Sequence, residues 1–239
     1  MHNYMLRLAF VGTNYSGWQI QPEVPTVQGV LKSALEKIMN ESIKLTGCCR
    51  TDAGVHAEDY IANFRSAKEM ECDSLLKALN SLLPRDIGVY EVKLVDENFN
   101  SRYSVKGKTY LYRIWNSFAR NPFLYPFSWN IPYSLDLSAL SDAMDMVSGK
   151  HDFKGFAKLE GEKETEIDLS TELSIKGELI ELRFTASHFL RYMVRRLVGA
   201  IIKRAEGKVS TGELYEYLQG KHCPHTAPAK GLTLERVHL

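Results

Sequence analysis

Apolar residues in the first hundred positions alternate between the spacing of strands and the spacing of helices. The elements predicted from this pattern are, in chain order, a strand over 4–11, a helix over 27–39, a strand over 43–47, a strand over 55–64, a helix over 72–82 and a strand over 87–95. Thr26 stands in the N-cap position of the first helix, and Pro84 ends the second. This order predicts an antiparallel sheet with helices on one face.

The second half of the chain loosely repeats that pattern. Its predicted elements are a strand over 107–115, a helix over 137–147, strands over 166–175 and 178–186, a long helix over 189–205, a short helix over 211–218 and a last strand over 232–238. The fold class predicted from both halves is therefore α/β, with strands and helices mixed along the chain.

Composition is that of an ordinary globular protein and narrows the function only slightly. The 239 residues are 44% hydrophobic and 25% charged, with a net charge of +1, so the chain lacks the basic excess of many nucleic-acid enzymes. No run approaches the ~20 apolar residues of a membrane helix, and the N-terminus does not resemble a signal peptide, so we expect a cytoplasmic location. The four cysteines fit neither a disulfide framework nor a metal knuckle.

A polar turn at residues 49–57 separates two apolar segments and presents one carboxylate, that of Asp52, close to Arg50 and Gly54. Thr, Asp and Gly are typical of tight turns, and loops on a rigid scaffold often carry catalytic groups. An aspartate in a turn beside an arginine is, however, more often a local cap or an ion-pair partner. These residues alone leave both interpretations open.

Cations recur near aromatic or apolar positions at two other places. On the predicted helix over 189–205, Arg191 and Arg195 are four residues apart and would share one face, where a guanidinium needs a carboxylate or phosphate partner. The helical phase does not decide whether Arg195 or Arg196 points inward. Lys108 and Arg113 flank Tyr110 on a predicted strand, a grouping that RNA binding uses and that a solvated surface also shows.

Other candidate sites are weaker. His56 lies four residues after Asp52, and we expect it to fix the loop through a ring N–H rather than to act as a base. His222, Cys223 and His225 would supply three metal ligands without a fourth at zinc-like spacing, so we predict no metal site. No phosphate-binding glycine loop and no nucleophile elbow occurs in the sequence.

Ordered blocks along nearly the whole chain resemble the tRNA pseudouridine synthase A (TruA) family. The most specific is Arg-Thr-Asp-Ala-Gly-Val-His-Ala at 50–57, followed by Phe-Leu-x-x-Met-Val-Arg at 189–195 and Lys-x-Tyr-x-Tyr at 108–112. The other blocks are at 15–19, 26–29, 79–87 and 227–232. The chain departs from the family at Cys49, at 58–60 and at His188, which leaves room for altered loop geometry.

The resemblance implies roles for individual residues. Asp52 would be the essential residue, Tyr110 would stack on the target uracil, and Arg195 would pair with Asp52 and keep it ionised and aimed. We add Arg50 as the candidate contact for the displaced nucleotide or its phosphate. The resemblance also implies two α/β halves that share a mainly antiparallel sheet with a central active-site cleft, and we divide them into residues 1–105 with the aspartate loop and residues 106–239 with the tyrosine strand and arginine helix.

The function implied is the isomerisation of uridine to pseudouridine on the 3′ side of the anticodon stem-loop of tRNA, at tRNA positions 38, 39 and 40. An enzyme that rejoins a base to its ribose must extrude the nucleotide and hold the base meanwhile, which requires a pocket, a stacking ring, a carboxylate and positive charge. The reaction is redox-neutral and requires no cofactor or metal, and the family implies a homodimer. Two alternatives remain: a non-catalytic RNA-binding module, and an unrelated covalent-aspartate enzyme in which Glu58 or Asp59 supplies a second carboxylate.

Overall fold

The computed structural model of the protein describes residues 1–159, 161 and 164–239. The chain forms two compact units, one made of Met1–Lys106 together with Leu234–Leu239 and the other made of Gly107–Thr233. The division into domains at residue 105 remains a prediction. The described residues contain ten strands and five α-helices. Most strand pairings within each unit are antiparallel and one short pair in the second unit is parallel, so the predicted α/β class with a mainly antiparallel sheet is confirmed.

The first unit is a twisted antiparallel sheet with two helices. Its elements are β1 (His2–Phe10), α1 (Val27–Met39), β2 (Thr46–Gly47), β3 (His56–Ser66), α2 (Cys72–Leu82), β4 (Ile87–Val95) and most of β10 (Leu232–His238). β1 lies between β4 and β3, and β3 is further paired with β2 and β10. Tyr4 faces Phe64 in this register, and their rings stack.

The helix ends of the first unit follow from local capping. The Thr26 side chain accepts a hydrogen bond from the Gly29 N–H and begins α1, as predicted. Glu71 caps α2 by accepting from two backbone N–H groups. α2 stops at Leu82, because Leu83 precedes a proline and is extended.

The predicted strand over 43–47 is wrong in extent, since only Thr46–Gly47 pairs as β2. In the residues just before β2, side chains of α1 form the hydrogen bonds that a neighbouring strand would otherwise form. The Ile43 N–H donates to Glu36 at 3.0 Å, and the Leu45 carbonyl accepts from Gln28 at 3.0 Å. These two backbone groups therefore need no neighbouring strand.

The second unit is a second antiparallel sheet with three helices. Its elements are β5 (Gly107–Trp115), β6 (Trp129–Asn130), α3 (Leu137–Val147), β7 (Gly149–Asp152), β8 (Glu166–Lys176), β9 (Leu179–Ala186), α4 (Met193–Ala205) and α5 (Thr211–Leu218). The strand order is β5, β9, β8, β7, with β6 parallel to β5. α3 packs against β8 and α4. In the described residues, no helix has both the length and the apolar character needed to cross a membrane.

The long helix predicted over 189–205 begins four residues later, at Met193. Tyr192, the residue before it, has a left-handed backbone with φ 66°. A left-handed residue cannot lie inside a right-handed α-helix. Arg191 is therefore not on α4, and the prediction that Arg191 and Arg195 share one helical face is wrong.

Candidate active site

The Asp52 carboxylate lies on a tight turn of the first unit. The Val55 N–H donates to the Asp52 carbonyl at 3.2 Å, and Gly54 has φ 77°, the left-handed geometry that the third residue of a type II turn requires. Asp52 itself is half-buried, while Arg50, two residues earlier, is exposed. The sequence thus folds here as its turn chemistry predicts.

A second loop, around Gly17, packs directly against the backbone of this turn. A Cβ atom at Gly17 would lie 2.3 Å from the Thr51 carbonyl oxygen, closer than any real Cβ contact, and Gly17 has φ 86°. The next residue, Trp18, donates its N–H to that carbonyl at 3.2 Å, and the Gly54 N–H donates to the Tyr15 carbonyl at 3.3 Å. Main-chain groups on both sides of Asp52 are therefore fixed by residues 15–18.

His56 holds the end of the turn to a neighbouring backbone segment. The Gly12 N–H donates to His56 Nδ1 at 3.1 Å, and a Cβ atom at Gly12 would lie 2.0 Å from the Val55 carbonyl oxygen. The ring was expected to fix the loop through an N–H, but at Nδ1 it accepts a hydrogen bond instead. Its observed contact is structural.

Two buried aromatic side chains pack next to the start of the turn. The rings of Trp18 and Tyr60 stack with centroids 4.1 Å apart, and the Tyr60 hydroxyl donates to the Cys49 carbonyl. A Cβ atom at Gly47 would collide with both rings. Cys49, where the chain departs from the family pattern, therefore contributes the backbone carbonyl that accepts the hydrogen bond from Tyr60.

Asp59 belongs to a network that ties four strands of the first unit. Its carboxylate accepts from Arg7 at 2.7 and 2.9 Å, from the Tyr90 hydroxyl at 2.8 Å and from the Val237 N–H at 2.9 Å. Burial raises the pKa of Asp59, but these hydrogen bonds and the Arg7 charge outweigh it, and the pKa is lowered. A carboxylate so engaged is poorly suited to serve as a second catalytic acid beside Asp52.

In the second unit, Tyr110 lies near the start of β5 and is buried. Its ring meets the ring of Phe189 edge to face, with centroids 5.0 Å apart. The backbone of Tyr110 is held in the sheet, because β5 and β9 are antiparallel and Tyr110 is paired with Phe184 of β9. An edge-on neighbour fixes the plane of an aromatic ring, which a stacking role requires.

Arg195 lies in the first turn of α4 and is fixed to the segment over 227–231. Its Nε donates to the Ala227 carbonyl at 2.9 Å, and the Ala227 N–H donates back to the Arg195 carbonyl at 2.9 Å. The Tyr112 hydroxyl donates to the carbonyl of Pro228 at 2.9 Å. Burial raises the pKa of Tyr112, and the Arg195 charge partly opposes that rise. The block over 227–232 noted in the sequence thus positions Arg195.

Three guanidinium groups surround the ring of Tyr192. Their central carbons lie 5.2 Å (Arg191), 5.7 Å (Arg195) and 5.8 Å (Arg196) from the ring centroid, within the range of cation–π attraction. Arg196 also donates to the Ala157 carbonyl at 2.7 Å. The left-handed residue that delays α4 therefore places its ring at a concentration of positive charge suited to a polyanion.

The structure places two predicted site residues in each unit. Arg50 and Asp52 share one turn of the first unit, and Tyr110 and Arg195 belong to the second. Contact between Arg195 and Asp52 remains a prediction.

The sequence did not indicate the supporting roles of three further residues. Gly12 and Gly17 permit close backbone approach to the aspartate turn, and Phe189 orients Tyr110. Two features of the sequence could have pointed to these roles: Gly17 stands next to Trp18, and Phe189 opens the block that contains Arg195.

Among the described residues, no three His, Cys, Asp or Glu side chains are grouped as a metal ion would require. Cys223, which lies close to His222 and His225 in the sequence, is buried, and burial raises the pKa of its thiol to about 11. Its sulfur contacts the carbonyls of Arg196 and His225 at 3.8 and 3.7 Å. It packs as a core thiol.

The model of the family described as tRNA pseudouridine synthase matches residues 8–104 and 143–238. The chain belongs to this family and is an isomerase. Among its relatives, tRNA pseudouridine synthase A of Aquifex aeolicus is 56% identical over 100% of both chains. The proteins of the same name from Hydrogenobaculum sp. and Thermodesulfovibrio yellowstonii are 37% and 36% identical, over 100% and 99% of both chains respectively.

Proposed function

We propose that this protein converts uridine to pseudouridine in the anticodon stem-loop of tRNA, at tRNA positions 38, 39 and 40, with Asp52 as the essential residue. The observation that carries the proposal is the half-buried carboxylate on a turn whose backbone is fixed by Gly17 and Trp18. A group that must meet one atom of an extruded base needs such a fixed position. The names of the relatives supply the substrate class.

The reaction is an isomerisation, and its atoms balance without a co-reactant. The bond between N1 of uracil and C1′ breaks, a bond between C5 and C1′ forms, and the proton of C5 is lost while N1 gains one. Asp52 takes part by attacking the base, by attacking C1′ or by removing the C5 proton. Each route uses the same carboxylate in the same place.

Tyr110 holds the base during its rotation. A phenol offers a flat face for stacking on uracil and a hydroxyl for proton transfer. The edge contact with Phe189 keeps the ring plane constant. The exposure of Arg50 on the aspartate turn supports a contact with the displaced nucleotide or its phosphate.

Arg195 pairs with Asp52 and aims it. The hydrogen bond from Nε to the Ala227 carbonyl fixes the guanidinium plane, and the terminal nitrogens would make the bidentate contact with the carboxylate. The arginines around Tyr192 provide charge for the RNA backbone. We further propose that the enzyme acts as a homodimer in the cytoplasm.

The test is to incubate the purified protein with an unmodified tRNA transcript that carries uridines in the anticodon stem, and to map pseudouridine by chemical probing. We expect product at positions 38–40 with the wild type and none with Asp52→Ala. A transcript with cytidine at those positions is the matched control. Tight tRNA binding without product would contradict the proposal and would favour a non-catalytic RNA-binding module.

A further inference from the structure

The loop between β5 and β6 exposes aromatic rings that the mechanism above does not use. Phe118 and Phe123 are each 89% exposed, and Tyr125 is 53% exposed. One exposed apolar side chain is ordinary, but two almost fully exposed phenylalanines five positions apart on one loop are characteristic of a binding surface.

This loop is held in one shape by its own polar groups. The Trp115 indole N–H donates to the Ala119 carbonyl at 2.7 Å, and the Asn121 side chain accepts from the Phe123 N–H at 3.1 Å. The rings are therefore presented by an ordered segment, so little conformational entropy is lost when a partner binds.

The charge on this loop is positive. Between Trp115 and Leu135, the only charged residue is Arg120, which is exposed. Lys230 adds a second cation, because its Nζ lies 3.6 Å from the centroid of the Tyr125 ring and donates to the Tyr125 carbonyl at 3.1 Å. Exposed rings together with cations complement a single-stranded nucleic acid, whose bases stack and whose phosphates are negative.

A second exposed aromatic residue of the same unit shows the contrast. Tyr215 on α5 is 58% exposed, but Glu213 and Glu216 stand beside it in the sequence. Lys221 pairs with Glu216, but with Glu213 the three side chains still leave a net negative charge, which opposes the approach of an RNA backbone. Tyr215 is about as exposed as Tyr125, and the charge of the nearby side chains distinguishes the two places.

We propose that the loop over 118–125, together with Lys230, binds unpaired nucleotides of the RNA substrate outside the uridine pocket. Bases stack on Phe118 and Phe123, while Arg120 and Lys230 contact phosphates. The inference rests on the proposed function, because it names a further contact of the same substrate. It assigns to this loop a share of RNA affinity and none of the chemistry.

The test compares the double variant Phe118→Ala/Phe123→Ala with the wild type in tRNA binding, by fluorescence anisotropy on the full-length chain. We expect the dissociation constant for unmodified tRNA to rise about tenfold or more, since loss of a stacked ring weakens single-strand binding by about that factor. The circular dichroism spectrum should be unchanged, because both side chains are exposed. The matched control Tyr215→Ala should bind tRNA as the wild type does.

Arg120→Gln supplies an independent readout. Loss of one phosphate contact should reduce the slope of log affinity against log salt by about 1. An unchanged slope would remove Arg120 from the proposed contact.

An unchanged dissociation constant in the double variant would overturn the proposal. A change in sedimentation mass without a change in RNA affinity would also overturn it and would assign the loop to a contact between copies of the chain. If the wild type makes no pseudouridine but the double variant loses RNA affinity, the proposed function fails and the loop assignment stands. Product from the wild type with equal affinity in both proteins defeats the loop assignment alone.

Discussion

The Asp52 turn and the start of α4 are both fixed segments, but they are fixed by different groups. Thr51 and Gly54, on either side of Asp52, are held by main-chain contacts with residues 15–18, whereas the ends of the turn are held by the side chains of His56 and Tyr60. At the start of α4 the functional side chains are themselves anchored, since the guanidinium groups of Arg195 and Arg196 donate to backbone carbonyls. The carboxylate therefore depends on backbone shape, and the guanidinium depends on its own hydrogen-bonding geometry.

This difference predicts which substitutions each segment tolerates. A turn whose central residues are fixed by main-chain contacts is sensitive to an added Cβ. A segment anchored through guanidinium groups is sensitive to the loss of planar donors even when the charge is kept. The following predictions run from the largest expected effect to the smallest.

Gly17→Ala should reduce pseudouridine formation by about 100-fold, because the new methyl group would displace the Thr51 carbonyl and shift Asp52. Steady-state turnover on tRNA measures the effect. Gly177→Ala is the matched control, because Gly177 also has positive φ, 58°, yet a Cβ atom there would have no atom of the described residues within 4 Å. Equal losses in both variants would mean that backbone strain, not the collision, is responsible.

Arg195→Lys should lower turnover about tenfold to 100-fold, since an ammonium cannot bond to the Ala227 carbonyl and also make a bidentate contact with Asp52. Arg196→Lys is the comparison, because its recorded hydrogen bond is a single one to the Ala157 carbonyl, which lysine can reproduce. A larger loss in Arg196→Lys would make Arg196 the inward arginine and contradict our assignment.

Asp59→Asn asks whether the first unit also depends on a side-chain anchor. We expect a loss of about 2 kcal/mol in the free energy of unfolding, measured with urea, because Arg7 loses a buried partner. Since the pKa of Asp59 is lowered on folding, its stabilisation is present above about pH 4, its unfolded pKa, and is lost as pH falls through the folded value. Equal stability of wild type and variant at neutral pH would show that the network is dispensable.

Glu206→Gln tests the other end of α4 and should cost about 1 kcal/mol of unfolding free energy. This carboxylate is contacted by Lys203, Lys208 and Tyr133. Burial raises the pKa of Glu206, but these contacts outweigh burial and lower the pKa to about 2. Its stabilisation is therefore complete above about pH 4.5, the unfolded value, and fades as pH falls towards about 2. A difference between wild type and variant that does not shrink over this range would contradict the assignment.

The sequence predicted those helix ends and strands that depend on residues nearby in the chain. The cap at Thr26, the stop before Pro84 and the strand beyond Asp52 all follow from neighbours in the chain. The start of α4 could not be predicted, because the apolar spacing continues through Tyr192 while its backbone turns left-handed. The strand predicted at residues 43–45 was wrong for a similar reason, because side chains of α1 form the backbone hydrogen bonds that a neighbouring strand would otherwise form.

The candidate site divides in the same way. Turn chemistry made Asp52 a candidate but left its role open, and the roles predicted for Asp52, Tyr110 and Arg195 all come from resemblance to a family. The close approach of Gly17 to Thr51 depends on the folding of two loops against each other, which no local pattern encodes.

The central claim is that one fixed carboxylate carries the chemistry. Single-turnover pseudouridine formation at saturating tRNA, measured for the wild type, Asp52→Asn and Glu58→Gln together with their tRNA affinities, tests it most directly. We expect Asp52→Asn to bind tRNA within about threefold of the wild type, since the amide keeps the shape of the side chain, and to form no product, while Glu58→Gln retains turnover. Near-normal turnover in Asp52→Asn, or its loss in Glu58→Gln, would contradict the account.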